Sequence, residues 1–171
     1  ALDVVWGDLV KKLKDTVGIG VGNAIAKFKE GKCAEGISEL VNGGAVQGQV
    51  MKETRRLARM KGLDVNIQDG ELVVTKMGEP LDGPPVSLSA SSGLIGSPKQ
   101  ERKKDVTLLM VRSLIVPGLR PKRTIQVKSL DVDGLYMIRK VRFTGDTGGN
   151  DWYADMECVA TTGHVIGEPT T

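Results

Sequence analysis

Aromatic residues are scarce in this sequence. Phenylalanine, tyrosine and tryptophan make up 4% of its 171 residues, so a core has to be built from leucine, valine, isoleucine and methionine. Histidine occurs once, at His164, in the stretch Thr161-Thr162-Gly163-His164-Val165-Ile166-Gly167-Glu168-Pro169, which reads as a flexible tail. Unless that tail is ordered, a Ser-His-Asp triad on a rigid scaffold is excluded. Cysteine occurs twice, at Cys33 and Cys158, far apart and with no second Cys or His at metal-ligand spacing. Idle thiols in a reducing compartment are expected rather than a disulfide, with no metal or cofactor bound. No window approaches ~18 uninterrupted apolar residues. The opening Ala1-Leu2-Asp3-Val4-Val5-Trp6-Gly7-Asp8 has no cationic stretch before an apolar one, so neither a membrane span nor a signal peptide is read.

What the chain does have is segregated charge. The net charge of +3 conceals a balanced residues 1–98, with 12 basic and 12 acidic groups, a basic band over 99–142, with 12 against 4, and a final stretch 143–171 with 5 acidic groups and no basic one. A basic band beside an acidic terminal strand is what neighbouring copies could use to find each other. Binding to a nucleic-acid backbone is the rival use.

The length suits one domain or two small ones. Leu2, Val5, Trp6, Leu9, Val10, Leu13 and Val17 follow the 3, 4 spacing of an amphipathic helix. The glycines of Gly18-Ile19-Gly20-Val21-Gly22-Asn23 follow that helix instead of a strand, so they do not form a dinucleotide fingerprint. Short helices are expected at Ala24–Lys29 and Ala34–Val41, the latter stopped by Asn42-Gly43-Gly44. A third is expected at about Gln47–Lys61, with Val50, Leu57 and Met60 inward, Lys52, Arg55, Arg56, Arg59 and Lys61 outward, and Gly62 as the stop. Asp69-Gly70 then predicts a tight hairpin between Asp64–Gln68 and Glu71–Lys76. Gly78-Glu79-Pro80-Leu81-Asp82-Gly83-Pro84-Pro85 reads as a linker. Beyond it the period changes from 3.6 to 2, with strands at Val86–Ala90, Ser97–Arg102, Val106–Ser113 and Arg123–Lys128 and a proline-fixed corner at Val116–Pro121. The fold class is therefore α+β: a helical segment with a small αββ unit over 1–78, an antiparallel, barrel-like strand domain over 86–162, and a tail from 163 to 171.

The closing hairpin carries the sharpest expectation. In a regular strand Tyr136, Ile138, Lys140, Arg142 and Thr144 share one face, and Leu135, Met137, Arg139, Val141 and Phe143 the other, so neither face is clean. Mixed faces suggest that both surfaces meet protein, one in the core and one across a subunit boundary. Arg139, Arg142, Trp152, Tyr153 and Asp155 are the candidate interface residues. In the connecting turn, Gly145, Gly148 and Gly149 are expected where a Cβ would crowd, with Asp146 capping backbone amides.

Several segments occur in an order that resembles one family: Gln68-Asp69-Gly70-Glu71-Leu72-Val73-Val74, Ser92-Gly93-Leu94-Ile95-Gly96-Ser97-Pro98, Val111-Arg112-Ser113-Leu114-Ile115-Val116-Pro117-Gly118-Leu119-Arg120-Pro121, Asp133-Gly134-Leu135-Tyr136-Met137-Ile138, and Gly145-Asp146-Thr147 ahead of Asp151-Trp152-Tyr153. Together they resemble the baseplate hub proteins of long-tailed bacteriophages over residues 68–160, more weakly before that. The resemblance implies a virion structural protein, made in the host cytoplasm, that joins the tail tube to the central spike as a ring of three subunits. Each subunit would contribute two similar barrel domains, and residues from 86 onward would be the second of them. Gly148-Gly149-Asn150 stands where the family usually has a His, so no role for that His carries over. The family also places a strand domain before the first helix, so this chain corresponds to its C-terminal portion. Alone, that portion is expected to be monomeric or weakly associated.

Two other functions stay open from the residues. A small barrel with Lys99-Gln100-Glu101-Arg102-Lys103-Lys104 and Arg120-Pro121-Lys122-Arg123 could bind single-stranded nucleic acid, given exposed aromatics on which bases stack. Asp146, Asp151, Asp155 and Glu157 cluster in sequence, and carboxylate pairs at the right separation hydrolyse glycosides. A solvated or subunit-facing acidic edge accounts for them more simply, so the expectation is a non-enzyme with no membrane partner and no direct nucleic-acid contact.

Overall fold

The computed structural model describes residues 2–30, 49–103 and 106–161. The expectations placed on Cys33, the helix Ala34–Val41 with its Asn42-Gly43-Gly44 stop, and the tail containing His164 lie outside those residues. The chain forms two compact units, Ala1–Gly78 and Glu79–Thr171. The first contains helices α1 (Leu2–Val17), α2 (Ala24–Glu30) and α3 (Val50–Met60) and strands β1 (Leu63–Gln68) and β2 (Glu71–Lys76). The second contains β3 (Val86–Ser89), β4 (Lys99–Lys103), β5 (Val106–Leu114), β6 (Thr124–Lys128), β7 (Asp133–Gly145) and β8 (Trp152–Ala160).

In the first unit the apolar stripe of α1 buries Trp6, Leu9, Val10 and Leu13 against Phe28, Leu57, Leu63, Val65, Leu72 and Val74. Trp6 stacks on Phe28 with ring centroids 4.0 Å apart, and its indole N–H donates to the Ala24 carbonyl at 3.1 Å, so the one polar atom of a fully buried ring is satisfied. The inward face of α3 is Thr54, Leu57 and Ala58, with Val50 and Met60 at its margin. Thr54 can be buried because its hydroxyl donates back to the Val50 carbonyl at 2.8 Å. Lys61, expected outside, folds back instead: its ammonium lies 4.3 Å from the Phe28 ring centroid and 3.0 Å from Asp3 Oδ1. β1 and β2 pair antiparallel around Asp69 and Gly70, whose φ values of 52° and 76° are those a two-residue primed turn demands. The glycine run covers the edge of β2. Gly20 N–H donates to the Gly70 carbonyl and Leu72 N–H to the Gly20 carbonyl, both at 2.8 Å, and a Cβ on Gly22 would stand 2.9 Å from the Leu72 carbonyl oxygen. Asn23 prolongs the contact, since its side-chain amide bonds both the N–H and the C=O of Val74.

The second unit is a single six-stranded sheet in the order β3-β6-β7-β8-β5-β4. It is mixed, not wholly antiparallel as expected, because β3 pairs parallel with β6. The physical reason is the route of the chain: β3 and β4 are consecutive but occupy opposite edges, so no hairpin reverses the direction between them. No ladder joins those edges. The segment after β3 nevertheless spans toward β5: Leu94 N–H donates to the Ser89 carbonyl at 2.9 Å, and Leu94 bridges Ser113. Among the described residues this unit has no helix to cover a sheet face. Its core lies on one side of the sheet, formed by Leu88, Leu109, Val111, Ile125, Val127, Tyr136, Ile138, Ala154, Met156 and Cys158 from five strands.

A bulge corrects the face assignment in the closing hairpin. Ile138 faces Cys158 and Lys140 faces Glu157, which leaves Arg139 as an extra residue in β7. Past it the alternation is inverted: Tyr136, Ile138, Val141 and Phe143 share the core side, opposite Ala160, Cys158, Met156 and Ala154, while Met137, Lys140, Arg142 and Thr144 share the outer side. The core side is uniformly apolar once the bulge is counted, and the outer side carries Met137 before the bulge and Lys140, Arg142 and Thr144 after it, so the interruption in phase is explained without a subunit boundary.

Candidate functional site

The outer side of β5, β8 and β7 carries cross-strand rows of charge. In one row Arg112, Asp155 and Arg142 are neighbours, and in the next Lys99, Met110, Glu157 and Lys140. A groove of about 710 Å³ opens over these rows, walled on one side by Ile95, Gly96 and Ser97. The wall is held in place because Gly93 and Ile95 pair with the end of β5. Leu114 N–H donates to the Gly93 carbonyl at 2.7 Å and Ile95 N–H to the Arg112 carbonyl at 2.8 Å, so the chain between Ile95 and β4 projects over the groove.

The carboxylates on the groove floor are already engaged. Arg112 donates from Nε to Asp155 Oδ1 at 2.7 Å and from Nη2 to Oδ2 at 3.2 Å, a bidentate pair. Its guanidinium also lies 4.3 Å from the centroid of the Tyr153 ring. The hydrogen bond to Asp155 holds the Arg112 pKa above its ordinary value. Glu157 is met by Lys103 Nζ at 3.5 Å, which also lies 3.8 Å from Glu101. By contrast, Lys99, Lys140 and Arg142 make no hydrogen bond or ion pair through their side chains among the described residues. The groove therefore presents unpaired positive charge beside apolar surface from Ile95 and Met110.

The residues expected at an interface are divided by this geometry. Arg142, Tyr153 and Asp155 come together on the outer side. Trp152 lies on the other side, facing Gly145 at the hairpin's end, where it and Phe143 remain 52% and 51% exposed. Arg139 is exposed at the bulge, out of register with the row containing Arg142. In the turn, Asp146 Oδ1 accepts the Gly148 N–H at 2.9 Å, the expected cap. A Cβ on Gly145 would stand 3.0 Å from the Trp152 ring, and one on Gly149 2.8 Å from Asp146 Oδ2. Gly148 differs from expectation: its nearest such contact is 3.8 Å, which accommodates a side chain. Of the other polar walls of the groove, Lys99 belongs to the basic run considered for nucleic-acid binding, whereas Arg112 and Lys140 were not singled out from the sequence. Arg112 alternates between buried Val111 and Ser113, which marks it as outward, but its partners come from a strand more than forty residues away.

Cys158 is free and buried in the second core, where desolvation pushes its thiol up to about 12. Among the described residues, no group of His, Cys, Asp and Glu side chains is placed to hold a metal ion, and no helix is long and apolar enough to cross a membrane. No protein-family model matches the sequence, and no curated protein matches it significantly.

Proposed function

We propose that this protein is a structural component of a phage tail baseplate hub, joining the tail tube to the central spike as part of a trimeric ring. The observation that carries the proposal is the second unit's construction: a strand wall with one apolar side and rows of charge on the other. The Leu94 bridge draws β3 and β5 toward one another without a continuous ladder. We take this as a barrel-like tube domain, whose outer rows of charge suit packing against protein. Of the segments that carry the family resemblance, Gln68–Val74 lies in the β1–β2 hairpin of the first unit, and the others fall on this wall and its corners: Gly93–Ile95 beside β5, Val116–Pro121 before β6, Asp133–Ile138 in β7 and Gly145–Thr147 at the hairpin turn. Sedimentation velocity of the intact gene product, followed by negative-stain imaging, tests the reading. Three-copy rings with a central opening are expected. A monomer at micromolar concentration, unchanged by salt, would overturn it.

Single-stranded nucleic-acid binding draws support from Lys99, Lys140 and Arg142. Against it, the exposed rings of Phe143 and Trp152 are on the side opposite those cations, and Arg112 covers the Tyr153 ring, so stacking and phosphate contacts do not share a surface.

A further inference from the structure

We infer that the groove over β5, β8 and β7 receives the β6–β7 turn of a second copy of this chain. The inference rests on the assembly reading above and names the contact that would make it. The turn is built to present its tip. Ser129 N–H donates to the Val132 carbonyl at 2.8 Å, Val132 N–H donates to Ser129 Oγ at 3.0 Å, and Val132 is anchored in the core. Leu130 is thereby left at 102% of its reference exposure, with Asp131 beside it and Asp133 at the start of β7. Neither carboxylate makes a hydrogen bond or ion pair among the described residues. A bare leucine flanked by unpaired acids is the chemical inverse of the groove, where Ile95 and Met110 lie among the unpaired Lys99, Lys140 and Arg142.

A chain cannot satisfy its own groove this way. The turn precedes Asp133 at one end of β7, whereas Lys140 and Arg142 stand further along the same strand, roughly 25 Å away at the ordinary rise per residue. The contact is therefore between copies and heterologous: each copy offers a turn to one neighbour and a groove to the other, an arrangement that closes into a ring when the rotation permits. The groove's volume lies in the range that encloses a drug-sized group, which suits one chain turn and not a larger element. A contact of that size is weak by itself and falls below a standard interface.

Sedimentation equilibrium of the whole 171-residue chain tests this directly. The weight-average mass should rise with concentration in the high micromolar range and fall when salt is added. A turn variant, Leu130→Ser with Asp131→Asn, and a groove variant, Lys140→Gln with Arg142→Gln, should each weaken association at least tenfold while keeping the parent circular dichroism. Mixed together they should form a dimer and nothing larger, because one keeps a groove and the other keeps a turn. A parent chain that stays monomeric, or a mixture that does, overturns the inference. Parent-like association in both variants also overturns it, and leaves the hub reading standing on another surface. A monomeric chain that shifts single-stranded DNA, and loses the shift with Lys140→Gln and Arg142→Gln, would assign the groove to nucleic acid and defeat both readings.

Discussion

At the scale of single residues, chemistry here is subordinate to burial. Cys158 carries a thiol into the second core, and its desolvation favours the neutral form. Its folded pKa, pushed up to about 12, lies above the ordinary 9.0 of the unfolded chain. A raised pKa stabilises the fold fully below the unfolded value, and that contribution is lost as pH rises from about 9 through about 12. Two outcomes are expected. Iodoacetamide at pH 8 should leave Cys158 unmodified in the native protein and alkylate it in urea, as peptide mass spectrometry would show. The second unit's melting temperature should fall across that alkaline window, and less so in Cys158→Ala. Alkylation of native Cys158 at pH 8 would contradict the burial. The pairing of Arg112 with Asp155 is of a different kind: both side chains are substantially exposed, so despite its bidentate geometry it is screened by solvent, adds little to stability and acts mainly to fix the groove floor.

At the scale of elements, local signals were legible and non-local ones were not. The α1 stripe, the Asp69-Gly70 hairpin and the positions of β5, β7 and β8 follow from period and turn chemistry, which act over a few residues. The parallel seat of β3 and the pairing of Arg112 with Asp155 depend on which strands become neighbours, and no spacing in the sequence encodes that. The bulge lies between these cases. Its trace was visible as a strand with two mixed faces, Lys140 and Arg142 in phase with Ile138, and the signal was attributed to a partner when it marked one extra residue. The bulge makes a sharp expectation. Deleting Arg139 removes the unpaired residue while Tyr136, Ile138, Val141 and Phe143 keep their side, so the melting temperature should change by only a few degrees. Deleting Ile138 instead brings Arg139 opposite Cys158 in the core, a buried unpaired charge costing several kcal/mol, and the second unit should fail to fold. Thermal melts of the two deletion variants decide it; equal damage from both would contradict the bulge assignment.

At the scale of the whole molecule, the chain is two cores. Trp6, Phe28, Leu57 and their neighbours belong to residues 1–78, and Leu88, Ile125, Ile138, Met156 and Cys158 to the second unit. The sequence suggested a division through the change of period across a Pro- and Gly-rich stretch, and each core draws only on its own side of Gly78. The chain's two tryptophans report on the units separately: Trp6 is buried against Phe28, and Trp152 is exposed at the hairpin end. Truncating Trp6 to alanine removes the stacked ring and its hydrogen bond to Ala24, a loss of about 3–5 kcal/mol for a large buried aromatic. That exceeds what a unit of this size can spare. The Trp6→Ala chain should therefore lose helical circular dichroism and keep a cooperative transition from the second unit. Trp152 fluorescence and the protection of Cys158 from alkylation should report that transition at the parent's melting temperature. Simultaneous loss of both signals would mean that the second core does not stand without the first.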